Sequence, residues 1–493
     1  MIRHRSLGTA WKGRPTGKLQ RSTMTEARPT PDSRRVLGLW DAVSLILGVV
    51  VGTTIFRMPG MIFSNMPGVG STLLLWVIGG VLSLVGALCY AELAAAWPER
   101  GGDVAYLSRG FGDWLGYLLG WCRIMVIIPA NVGIMSFAFQ DYVIQAGGFD
   151  PNWSPWISLA AVAAMTAINL IGVQSGRRTQ NTLTAAKLIG FVVVVLAGML
   201  IALKGNWPAM SAPLPEGMSP NPGLALVFIL YAFGGWNDAV YIAAELKEPQ
   251  RNLPRALAGG VFAVLLVYLA VNLAYATLGI DQLRIAKVPA RDVTMQAFGN
   301  AGSFLVTGLL MVSALGAMHG TIFGGTRLTV AMGERYATLR WLRYWSPLGA
   351  PTRGVLLVGC NTILLVAAVE TYVGREWLEC VLEVMGVRGG VPWGQFGGGF
   401  DTLLAATAPL FWVFFLLTGA AQIVLRIREP LTPRPFRTPL YPLTPLLFMA
   451  TSGYMLYSSV MYVKWLALLS FLPVIPGLVA WGFERASSRR VGP

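Results

Sequence analysis

The amino-acid sequence predicts an all-α polytopic membrane protein, and three observations carry that prediction. Apolar residues make up 55% of the 493 positions and charged residues only 12%, a balance that leaves too little polar surface for an ordinary soluble globule. Apolar stretches of bilayer-crossing length recur near 37–58, 70–97, 112–143, 154–172, 180–203, 222–246, 254–280, 301–331, 354–373, 400–427, 443–462 and 464–482, so about twelve spans are expected. The basic residues behind the net charge of +15 alternate between connections. With the N-terminus inside, one set of loops holds Arg100, Arg109, Arg177, Arg178, Lys247, Arg251, Arg255, Arg335, Arg340, Arg343, Arg353, Arg426, Arg428, Arg434 and Arg437. The opposite set holds few, chiefly Arg57, Lys204, Arg284, Lys287, Arg291, Arg375, Arg388 and Lys464. This positive-inside pattern places both termini in the cytoplasm of a multi-pass plasma or inner-membrane protein and explains the basic excess without nucleic acid.

Residues 1–35 read as a disordered basic cytoplasmic tail against anionic lipid; no apolar h-region follows it, so it is not a cleavable signal. The first span carries Gly48, Gly52, Thr53 and Thr54 well along its length, and the sixth carries Gly234 and Gly235 before Trp236, Asn237 and Asp238. Glycine tolerates non-helical backbone, and irregular backbone at membrane depth survives only inside protein or beside a wet cavity. Packing glycines are the plainer alternative for either segment alone. Glycine-interrupted segments opening spans one to five (36–203) and six to ten (222–427) are the sign of an inverted repeat. An outer insertion at 374–399 reads as a short surface helix with a loop, spans eleven and twelve (443–483) as packing or dimer-contact elements, and 484–493 as a cytoplasmic tail.

Polar residues inside spans point to function. Lys187 lies within span five, where a lysine either faces the bundle or snorkels to the nearer end. Asp238 shares a helical face with Tyr241 and Glu245; it either attracts a cationic group or, as favoured here, anchors backbone or a basic neighbour. Glu92 and Glu245 read as inner-gate or loop anchors, Arg123 and Arg327 as paired cations, and His319 as a packed, hydrogen-bonded histidine rather than a proton shuttle. Cys89, Cys122, Cys360 and Cys380 have neither metal nor redox spacing. With only two histidines and no Ser, His and acid set, no catalytic residue, metal or cofactor is expected, and the chain does not read as an enzyme.

Several strings resemble the amino acid–polyamine–organocation superfamily, nearest its L-type amino-acid transporter branch: Val51-Gly52-Thr53-Thr54-Ile55-Phe56, Tyr90-Ala91-Glu92-Leu93, Tyr231-Ala232-Phe233-Gly234-Gly235-Trp236-Asn237, Glu245-Leu246-Lys247-Glu248-Pro249, and Arg434-Pro435-Phe436-Arg437. The likeness runs from about residue 36 to 483. It implies a LeuT-type five-plus-five fold with broken helices 1 and 6, transporting amino acids, the neutral ones first, by proton symport or sodium-independent exchange. In the family the first break reads Gly-Ser-Gly and its N–H groups bind the substrate carboxylate. That role falls here to Gly52, Thr53 and Thr54, with Thr54 replacing the second glycine and narrowing the site. Carbonyls near Val50, Tyr231, Ala232 and Gly234 would take the ammonium, Tyr231 would gate, Trp236 and Asn237 match the helix-six pair, and Lys187 would stand where sodium-coupled relatives hold a cation. A polyamine or cationic amino-acid permease, or an amino-acid sensor without flux, are the alternatives. Heteromeric relatives hold a heavy subunit through a cysteine between spans three and four. None occurs at 144–154, so a monomer or homodimer without a disulfide-linked heavy subunit is expected, its partners an amino acid and membrane lipid.

Overall fold

The computed structural model describes residues 35–52, 54–205, 219–384, 398–463 and 471–490, with the isolated positions 207 and 386. Thr53 and the basic tail before Arg35 lie outside the described residues, as does most of the glycine-rich part of 374–399. Among the described residues the regular structure is helical, apart from one isolated bridge between Leu37 and Leu246. Among the described residues nine helical stretches are long and apolar enough to cross a membrane, or ten when a bent pair is taken as one span.

That pair is α1 (Leu39–Val50) and α2 (Thr54–Ser64), whose axes differ by 50°. The Asp41 carboxylate starts α1 by accepting the Gly38 N–H at 2.8 Å, a favourable charge at a helix N-terminus. It also takes Arg177 at 2.8 Å and Asn181 at 3.0 Å, tying α1 to the eighth helix. The first helix ends because Val51, at φ −77 and ψ 67, forms an inverse γ-turn in which Gly52 N–H donates to Val50 O at 2.7 Å.

Next come α3 (Val69–Ala96), α4 (Asp103–Phe111) and α5 (Asp113–Cys122), which runs through a π-turn at Arg123–Ile127 into α6 (Ile128–Gly147). Then come α7 (Ser154–Ile171), α8 (Val173–Leu203) and α9 (Pro222–Ala232). The Asn221 side chain and Pro222 open α9 as an N-cap and first-turn proline should. Gly235, at φ 103, turns the chain in a way only glycine adopts without strain. Beyond it the chain departs from a briefly interrupted α-helix: Trp236–Glu245 is ten residues of 3-10 helix. The tighter winding rises about 2.0 Å per residue against 1.5 Å, so this half reaches further along the bundle. It is anchored there by Leu37 N–H to Glu245 O at 3.0 Å and Lys247 N–H to Leu37 O at 2.8 Å.

The remaining helices are α10 (Pro249–Ala276), α11 (Ile280–Ile285), α12 (Pro289–Arg335, bent at Gly299), α13 (Thr352–Glu370), α14 (Tyr372–Val384), α15 (Gly399–Arg428), α16 (Leu443–Val463) and α17 (Val474–Arg490). The last runs on as helix into the stretch expected to be a tail. α1 sits at the centre, packed on α8, α10, α12 and the 3-10 half. α16 flanks α3 and α15, and α17 leans on α5. Both chain breaks are thereby enclosed in protein at mid-bundle.

Candidate functional site

The end of α1 exposes carbonyls that no further turn can satisfy, and they carry the negative end of the helix dipole. Two side chains meet them. Lys187 of α8 donates from Nζ to Gly48 O at 2.6 Å and to Val51 O at 3.0 Å. It is 2% exposed, so the ammonium faces the break rather than snorkelling to an end of the bundle. α12 closes over it at Gly316, where a methyl group would stand 3.0 Å from Lys187 Cε. The Tyr268 hydroxyl of α10 lies 2.9 Å from both Val50 O and Ala232 O and shares its proton between the two broken segments. Val50 O thus already meets Tyr268 and Gly52 N–H, and two lone pairs leave it no room for a substrate ammonium.

A cavity of about 70 Å³ opens between the breaks, lined by Val50, Gly52, Thr54, Tyr231, Ala232 and Gly234 together with Asn131, Met135, Thr321, Thr407, Ala408 and Phe411. No charged side chain is part of this lining. Trp236 and Asn237, expected here, lie elsewhere. Trp236 packs edge-on against Tyr90 and tilted against Phe415 and Phe448. Asn237, its amide set oxygen-first, accepts Arg123 Nη2 at 3.1 Å.

Ion pairs bracket the cavity at both ends. Towards Leu37, Arg123 holds Asp238 and Asp103, each at 3.0 Å, so Asp238 is an anchored anion. Arg327 and Glu245 pair through two bonds of 2.9 and 3.1 Å, and Glu92 takes Arg426 Nε and Thr438 N–H at 2.7 Å each. At the other end Arg57 of α2 pairs with Asp141 at 3.0 Å and Asp401 at 3.6 Å, above the Phe400 ring. His319 Nδ1 meets Gln180 Oε1 at 3.0 Å beside the crossing of α1 and α8. Among the described residues no cluster of His, Cys, Asp or Glu is suited to a metal.

Residues 37–481 match the family model described as amino acid permease. The chain belongs to the amino acid permease family. The permease is 29% identical over 430 residues to the large neutral amino acids transporter small subunit 2 of Mus musculus, covering 85% of this chain and 75% of that one. It is 27% identical over 475 residues to the b(0,+)-type amino acid transporter 1 of Mus musculus, covering 93% and 90%. The Oryctolagus cuniculus protein of the latter name is 32% identical over 338 residues, 66% of this chain and 68% of its own. The permease is therefore a multi-pass membrane transporter of amino acids rather than an enzyme.

Sequence reasoning missed Tyr268, Asn131, Met135 and Phe411 in the permease. Tyr268 alone left a trace, a phenol in an apolar span whose O–H must find a partner once buried.

Proposed function

We propose that this protein is a secondary active transporter of neutral amino acids working by alternating access, with the cavity between the breaks as its substrate site. The observation that carries the reading is the cavity's position: Gly52 and Thr54, at the start of α2, line one wall, Tyr231, Ala232 and Gly234 of the α9 break line another, and no charged side chain is in the lining. A zwitterion's carboxylate suits a helix N-terminus and its ammonium suits free carbonyls. A cationic side chain would be buried without a counter-charge, since Asp238 is already bound by Arg123. Lys187 supplies the positive charge at the α1 break, which supports proton symport or sodium-independent exchange.

The reading includes a LeuT-type inverted repeat of spans one to five and six to ten, about twelve crossings in all, and both termini in the cytoplasm. It has no disulfide-linked heavy subunit, in keeping with the absence of cysteine at 144–154. The test is uptake of labelled amino acids into sodium-free proteoliposomes, with and without an inward proton gradient, and with and without preloaded amino acid. Gradient-stimulated uptake means symport, and uptake only after preloading means exchange. Binding without uptake under any condition would overturn the reading in favour of a sensor.

A further inference from the structure

We infer that the site is built for small neutral amino acids such as alanine and serine rather than leucine or phenylalanine, and that Thr54, Met135 and Phe411 set this limit. The inference rests on the reading that the cavity between the breaks is the transport site.

Size comes first. A cavity of about 70 Å³ holds roughly five to seven water-sized atoms at about 10–15 Å³ each. That is enough for the backbone of an amino acid and a side chain of one or two heavy atoms. The walls lie close against the backbone that would bind the substrate. A methyl group at Gly52 would stand 3.5 Å from Met135 Sδ, and one at Gly234 would stand 4.0 Å from Phe411 Cζ. Both are ordinary van der Waals distances, so these side chains occupy the space immediately beyond each break. Phe411 is held in place by its neighbours, its ring 4.5 Å from that of Phe415 and 5.4 Å from that of Trp412. It cannot swing aside without disturbing the aromatic cluster behind it, because packed interiors repack in discrete steps rather than stretch.

Polarity comes second. Thr54 is 5% exposed and lines the cavity, and its Oγ1 finds no well-formed hydrogen-bond partner. A buried hydroxyl left in that state is stabilised by any ligand that supplies a donor or acceptor. A serine hydroxyl brings both within the space available. Thr407, also in the lining, has its hydroxyl already directed to Leu403 O at 2.8 Å. Of the hydroxyl-bearing residues in the lining, Thr54, Thr321, Tyr231 and Thr407, it is Thr54 whose hydroxyl is fully enclosed without a partner.

The experiment uses the full chain in proteoliposomes and compares initial uptake of labelled alanine, serine, leucine and phenylalanine by wild type, Met135→Ala, Phe411→Ala and Thr54→Val. Wild type is expected to carry alanine and serine at least about tenfold faster than leucine and phenylalanine, the scale on which apolar pockets discriminate by size. Met135→Ala and Phe411→Ala should raise leucine relative to alanine, and Thr54→Val, which keeps the shape without the hydroxyl, should lower serine relative to alanine. Leucine or phenylalanine carried by wild type as fast as alanine would overturn the inference while leaving the transport reading intact. The same holds if Thr54→Val leaves the serine-to-alanine ratio unchanged, as far as the hydroxyl's role goes. No uptake of any of the four amino acids would instead overturn the transport reading, and this inference with it. The wild-type panel decides the size limit even if a variant fails to fold.

Discussion

Arg123 Nη2 stands 3.0 Å from Asp238 Oδ1, joining the π-turn after α5 to the 3-10 half of the second broken segment. The same guanidinium reaches Asp103 on α4 through Nη1 at 3.0 Å, and the Tyr241 hydroxyl donates to Asp103 at 2.7 Å. One cation therefore holds two buried carboxylates, and the consequences of removing each partner differ. Arg123→Met leaves both Asp103 and Asp238 uncompensated in the interior, which costs about 3–5 kcal/mol for breaking a buried pair. Asp238→Asn leaves Arg123 with Asp103 and should cost distinctly less. Thermal unfolding of the two variants in detergent tests this ordering, and equal losses would show that the Asp238 arm carries all of the interaction.

Lys187 is expected to matter more for transport than for folding. Its ammonium replaces the donors that the end of α1 lacks, so Lys187→Met exposes two carbonyls at the break to an apolar side chain. Leaving buried acceptors unmet costs about 1–3 kcal/mol, enough to redistribute the break among conformations. Uptake in proteoliposomes should fall by tenfold or more, since about 1.4 kcal/mol is a factor of ten. The variant should still elute as a folded species on size exclusion. Wild-type uptake by Lys187→Met would remove Lys187 from the mechanism.

Tyr268→Phe removes one oxygen and keeps the ring that packs on Trp76 and Phe233. The lost hydroxyl bridges Val50 O and Ala232 O, so the change uncouples the two breaks without opening a cavity. An apparent KM raised severalfold, with thermal stability lowered by about 1 kcal/mol, is the expected pattern. A KM unchanged within error would mean that the bridge only fills space.

Nine or ten of the about twelve expected spans are found among the described residues, legible because a bilayer demands long apolar runs, and the breaks were legible because glycine-interrupted runs stand at matching places in the two halves. Val50, Gly52, Thr54, Tyr231, Ala232 and Gly234, all named from sequence, line one cavity. The misplaced pair shows where the pattern runs out. Trp236 and Asn237 come directly after the glycines, yet the 3-10 winding turns them towards Tyr90 and Arg123, and no periodicity of ten residues announces 3-10 over α. Long-range partners were equally silent: Arg123 and Asp238 are 115 positions apart, and Tyr268 reads the same whether it packs against lipid or bridges two chain breaks.

The ion pairs of Arg57 make the opposite case from Arg123. Arg57 and Asp141 retain side-chain exposures of 29% and 49%, and Asp401 retains 32%. Partly exposed pairs contribute about 0–1 kcal/mol, so Arg57→Gln should leave thermal stability almost unchanged. Yet this residue, on α2, joins α6 and α15 across the end of the bundle furthest from Leu37, where a second cavity of about 710 Å³ lies against it. A pair worth less than 1 kcal/mol can still shift two conformers of similar energy several-fold. Cysteine introduced at Thr407, which lines the central cavity, reports the shift. In Arg57→Gln it should react faster with a membrane-impermeant maleimide from the Arg57 side. Unchanged labelling with unchanged stability would show that these ion pairs do not control access from that side.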